Sequence, residues 1–163
     1  MSAPSNKDPT PSIWDFALAF YGQDGVEADC LTAQDVYGLD VTFLIFALYR
    51  ARLGQGFEAT DTQRLAQKLT RQLVKPLRQR RRALKAEPQT EAPALIAATR
   101  AQLLAAELAC EQTILQILHL SEIKGQPLSG YDGLIQCVRA AHVPLDAALD
   151  ALLKRLAHAG QSV

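Results

Sequence analysis

A chain of 163 residues with 48% hydrophobic and 21% charged side chains can bury one real core, and two domains would each be marginal. Lys plus Arg number 17 and Asp plus Glu also number 17, so no net charge draws the whole chain to nucleic acid or to a membrane. Three widely spaced cysteines, Cys30, Cys110 and Cys137, form no metal-ligand pattern and exclude an even disulfide framework, which points to a reducing compartment, the cytoplasm.

The start, MSAPSNKDPTPS, has three prolines and no apolar run, so residues 1–11 read as a disordered tail rather than a signal peptide. Ser12 is an N-cap with Asp15 three residues on, and Ile13, Trp14, Phe16, Phe20 and Tyr21 follow at helical spacing. Trp14 reads as a core anchor. Asp24 is expected to cap a second helix, in which Val26, Cys30, Ala33 and Tyr37 make one apolar stripe and Gly38 gives the stop. Asp40 caps a third, VTFLIFALYRARL, whose first turns are apolar all round, the mark of a central core helix. The longest apolar run, Val41 to Tyr49, is far short of the roughly 18 residues a bilayer span requires, so no membrane span is expected.

A fourth helix is expected from Asp61 to Lys85 and a fifth from Pro93 to Leu120, with AEPQTEAP linking them. After the loop KGQPLSG, a short helix covers Gly133 to Ala141. Pro144 is expected to open the last helix, whose apolar face is Leu145, Ala148, Leu149, Leu152 and Leu156, and Gly160 to close it. No strand-like alternation and no repeat occurs. The sequence therefore predicts an all-α, compact bundle of six or seven helices, a single domain over 12–160, with the linker 86–93 between N-terminal helices (12–85) and C-terminal helices (94–160).

Charge is unevenly spread along this chain. Residues 1–61 balance to −6, residues 62–86 to +9 with no acid at all, and residues 87–163 to −3. On a wheel of 100° per residue, Arg64, Lys68, Arg71, Lys75, Arg78, Arg82 and Lys85 form one basic stripe opposite Leu65, Leu69, Leu73, Leu77 and Leu84. Pro76 is expected to kink the helix there. Like-charged neighbours along the stripe cost the isolated helix about 1–3 kcal/mol at low salt, so an anionic counterpart is expected. Four are open: the protein's own acids with solvent, an acidic partner protein, nucleic acid, or an anionic membrane surface. The stripe has no aromatic residue to stack a base, and its apolar face has no Trp or Phe for a bilayer interface.

Arg80 falls in the middle of the leucine face on the same wheel. A buried guanidinium there needs a carboxylate or several carbonyls. Arg80 therefore either lies beyond the packed part of the helix or pairs with a carboxylate, Asp35 being the preferred partner in a structural ion pair.

At Trp14–Tyr49 and Lys75–Lys85 the chain resembles a family of small, uncharacterised bacterial all-helical proteins, a domain of unknown function. The resemblance is carried by Trp14 and Phe16; by Cys30, Leu31, Gln34, Asp35, Gly38, Asp40 and Val41; and by Pro76, Leu77, Arg78, Arg81 and Arg82. Thr42 departs from the Asn often found there. The resemblance implies a bacterial, soluble, all-helical protein and carries no catalytic residue.

Glu107 and Glu111 lie one turn apart, but no Glu-x-x-His accompanies them, so no metal site is expected. His119, His142 and His158 are scattered, no nucleophile elbow or phosphate loop occurs, and no catalytic residue and no cofactor is expected. The leading expectation is a non-enzymatic interaction module that docks on an acidic partner through the stripe. Nucleic-acid binding through the same stripe is the alternative, and a small-ligand pocket between the helices is a third class.

Overall fold

The structure, a computed structural model, describes residues 11–86, 92–121 and 124–163. The expected tail and most of the 86–93 linker lie outside the described residues. In chain order the helices are α1 (Ile13–Tyr21), α2 (Val26–Asp35), α3 (Val41–Arg52), α4 (Ala59–Leu69), α5 (Lys75–Ala86), α6 (Pro93–Leu120), α7 (Gly130–Ala140) and α8 (Ala147–Gln161). A five-residue π turn, Thr70–Val74, joins α4 to α5 as one continuous rod. Counting that rod once gives seven helices and, among the described residues, no strand, as the all-α reading expects.

Local signals set most of the boundaries. Ser12 accepts a hydrogen bond from the Asp15 N–H and donates one to its carboxylate, so the first cap forms as expected. Asp40 accepts from the Phe43 N–H at 3.3 Å and starts α3. Asp24 does not cap α2. Gly25, at φ 80°, holds the N-cap position, because the turn out of α1 needs a left-handed residue that glycine adopts freely. Pro144 does not open the last helix either. Asp146 accepts from the Leu149 N–H at 2.7 Å and caps α8 two residues later. The short helix starts at Gly130 under a Ser129 cap, three residues earlier than expected. Gly160 does not close α8, which runs to Gln161 with Gly160 packed against Leu48.

The core is built around α3. Its residues Thr42 to Tyr49 are all buried, which is why that stretch has no polar face. Phe57 meets Phe43 and Phe46 edge-on at centroid distances of 5.6 and 5.7 Å. α7 packs on α3 through Gly133, which comes close to Ala47, and α8 adds Leu149, Leu152, Leu153 and Leu156. Each such leucine contributes roughly 1.5–3 kcal/mol of transfer free energy. Two loops meet backbone to backbone, since a Cβ on Gly56 would lie 1.7 Å from the Gln126 carbonyl oxygen.

Two features set up the candidate site. The first is the π turn. The Lys75 N–H donates to the Thr70 carbonyl, five residues back rather than four, so one extra residue enters the rod just before Pro76. The insertion falls just before Pro76, where a kink is expected, and it rotates everything after it by about 100° relative to an unbroken α-helix. The second is α6. Its inward face combines buried Ile114, Leu115 and Leu118 with buried Glu107 and half-buried Arg100 and Glu111, while its outer face carries no charge. Among the described residues it is the one helix long and apolar enough to cross a membrane by length and composition, with 22% of that stretch buried.

Candidate functional site

A cleft of about 590 Å³ opens between α1, α2, the rod and α6, within the size range typical of ligand pockets. Trp14, Leu18 and Tyr21 of α1 and Glu27, Leu31 and Gln34 of α2 form one wall. Arg71, Lys75, Arg78, Arg81 and Arg82 of the rod form the opposite lip, and α6 supplies Leu104, Glu107, Leu108, Glu111 and Leu115. Trp14 is partly buried: it packs against the core, as expected, and also lines this cleft.

Five residues form the centre of the lip. Arg78 donates from Nε to Glu107 at 2.6 Å, from one Nη to Glu111 at 2.9 Å and from the other to the Gln34 side-chain carbonyl at 2.5 Å. Arg81 donates from Nε to the second oxygen of Glu107 at 2.8 Å. Every nitrogen of the Arg78 guanidinium thus has a partner, which is what a charge in this half-buried position requires. Burial alone would raise the Glu107 carboxyl, but the hydrogen bonds and charges of Arg81 and Arg78 outweigh it and hold the group below the usual carboxylate value. At Glu111 the balance is reversed. Burial raises it, and the attraction of Arg78 offsets only part of that rise.

A second tie fixes the turn itself. Thr70, in the π turn, donates from its hydroxyl to Asp40 at 2.8 Å, so the carboxylate that caps α3 also anchors the insertion. Tyr21 and Cys30 sit side by side next to the cleft. Burial raises both, and it pushes the Cys30 thiol up to about 12.

The expected basic stripe is thereby divided. Arg64, Lys68, Arg71, Lys75, Arg82 and Lys85 are exposed, but Arg78 turns inward onto the protein's own acids. Arg64 lies 3.4 Å from its neighbour Asp61. The expected Asp35–Arg80 ion pair does not form. Asp35 pairs instead with Arg82 at 3.4 Å, and Arg80 points to solvent. The inserted residue is the physical reason: Arg81 takes the place that an unbroken wheel gives to Arg80, and Arg78 takes the place of Leu77. Hydrogen bonding from Gln34, followed by that from Arg82, lowers the Asp35 carboxyl. Glu107 and Glu111 are counterions to the rod, and no group of side chains suited to a metal occurs among the described residues.

Trp14, Leu31, Gln34, Gly38, Asp40, Val41, Arg78, Arg81 and Arg82, which come from three separate stretches of sequence, all line this one cleft. A family model described as "protein of unknown function (DUF2390)" matches residues 12–118. The chain belongs to that family. No curated protein and no solved structure matches it. Every residue that lines the cleft falls inside the DUF2390 span, while α7 and α8 lie beyond it.

Proposed function

We propose that this DUF2390 protein is a non-enzymatic interaction module that receives an acidic partner protein in the cleft. One observation carries the reading. Arg71 and Lys75 stand exposed on the lip with no ion pair or side-chain hydrogen bond among the described residues, whereas Arg78, Arg81 and Arg82 beside them are matched by Glu107, Glu111 and Asp35. Two unmatched cations next to exposed leucines have the composition of half an interface, in which complementary charge selects the partner and apolar contact holds it. The Cys30 thiol, beside Tyr21 of the cleft wall, keeps its proton, which supports binding over thiolate chemistry. All three cysteines are unpaired, which supports a reducing compartment such as a bacterial cytoplasm.

Nucleic-acid binding along the rod is the second reading, and it draws on the six stripe cations that stay exposed. Charge reversal separates the two. Reversing Arg71 and Lys75 should abolish partner capture, and reversing Arg64 and Lys68, on the rod but away from the cleft, should leave it intact. Equal loss from both pairs, with affinity falling steeply between about 50 and 200 mM salt, is the nucleic-acid outcome. Capture that survives reversal at Arg71 and Lys75 removes the cleft from the account.

A further inference from the structure

We infer that the occupant of the cleft is an amphipathic helix of the partner, with two carboxylates one turn apart along the edge that faces Arg71 and Lys75. The inference rests on the reading above and specifies its ligand.

Backbone chemistry supplies the first argument. The walls are all helices, and no strand edge exists among the described residues to pair with an extended segment. An extended peptide would lay part of its N–H and C=O groups against Leu18, Leu31, Leu104 and Leu108, which cannot bond them. A helix brings its backbone already satisfied and offers side chains only, the helix-in-groove mode.

Spacing supplies the second. Leu104 and Leu108 are one turn apart on α6, and both are exposed with no cover among the described residues. They present an apolar strip running along a helix axis, which suits apolar side chains at i, i+3 and i+4 of a partner helix. Arg71 and Lys75, four residues apart across the π turn, lie within one turn of the rod and both line the cleft. Acids at i and i+4 of a helix lying beside the rod meet both cations at that spacing. The Arg82–Asp35 pair at the end of the cleft is exposed on both sides, so it contributes little and is no barrier to entry.

Trp14 reports the event directly, because it is the chain's one tryptophan and it lines the cleft. The full chain is titrated with three synthetic peptides while Trp14 emission is followed. The first is an amphipathic helix with leucines at i, i+3, i+4 and i+7 and glutamates at i and i+4 on one edge. The second has the same composition with two central D-residues that break the helix. The third has lysines in place of the glutamates. The acidic helix should bind, with the D-residue form about tenfold weaker or more, because it must be ordered on binding. In the Arg71→Glu, Lys75→Glu protein the preference should invert toward the lysine peptide. Equal binding of the helical and broken acidic peptides overturns the helix inference and leaves the acidic-partner reading standing. An acidic helix that binds no better than the lysine form overturns both.

Discussion

Arg78 Nε lies 2.6 Å from Glu107 Oε1, and the same carboxylate binds Arg81 through its other oxygen at 2.8 Å. One acid, 3% exposed, thus holds two arginines of α5, a helix that has no acid of its own. Removing one side of such a buried pair leaves uncompensated charge, at about 3–5 kcal/mol. Glu107→Ala should therefore lower the unfolding free energy by about that amount in urea denaturation. Arg80→Ala, in solvent, should change it by no more than about 0.5 kcal/mol. An equal effect from the two would show that the cluster does not hold the rod.

The π turn should matter through its length rather than its side chains. Deleting Gln72, which is exposed, restores α-helical register and rotates α5 by about 100°. Arg78 and Arg81 then leave Glu107 and Glu111. The deletion should destabilise at least as much as Glu107→Ala while helical circular dichroism stays near that of the native chain. Gln72→Ala, which keeps the count, should be close to neutral. A deletion as mild as the substitution would contradict the register argument.

Stability should have two limbs in acid. Glu111 binds its proton earlier in the folded chain than in the unfolded one, so it adds stability as the pH falls from its raised value toward the ordinary carboxylate value of about 4.3. Glu107 binds later when folded, so its contribution is complete above about pH 4.3 and is lost as the pH falls through its lowered value. The urea midpoint should hold or rise on the way down from neutral pH and then drop. Glu111→Gln should remove the first limb and keep the second. A first limb that survives in that variant would assign it to another group.

Glycines in contact with their neighbours should divide by geometry. Gly56→Ala forces a Cβ to within 1.7 Å of the Gln126 carbonyl, so one loop must move, at about 1–3 kcal/mol. Gly133, inside α7, has its nearest neighbours at 3.6 Å, an ordinary contact. Gly133→Ala should be tolerated, or stabilising by up to about 1 kcal/mol from the gain in helix propensity. Thermal denaturation of the two variants side by side checks the contrast.

Most of the fold was legible because its signals are local. Ser12 and Asp40 announce their caps, and the apolar stretch after Asp40 can only be central. Asp24 and Pro144 misled, since Gly25 and Asp146 offered better geometry one and two residues further on. The cleft was legible in part. Arg71, Lys75 and Arg82 line it as members of the basic stripe, but the partners of Arg78 were hidden because they come from two other helices, 29 to 44 residues away. A wheel assumes constant register, and one inserted residue defeats it without changing composition. The clue was present in the misfit itself. An arginine placed among leucines, with a proline four residues before it, indicates that the register is wrong somewhere upstream.

The DUF2390 match covers residues 12–118, yet the fold is not complete there. α7 and α8 supply Leu134, Val138, Leu149, Leu153 and Leu156 to the core, and they cover a side of α3 that has no polar residue to show to water. A chain cut after Leu118 would keep every wall of the cleft and lose the support behind it. The recognisable stretch and the smallest self-sufficient folding unit are therefore different lengths. Beyond residue 118 this chain is bound to an apolar surface shaped to α3, and only the outward faces of α7 and α8 are free of that constraint.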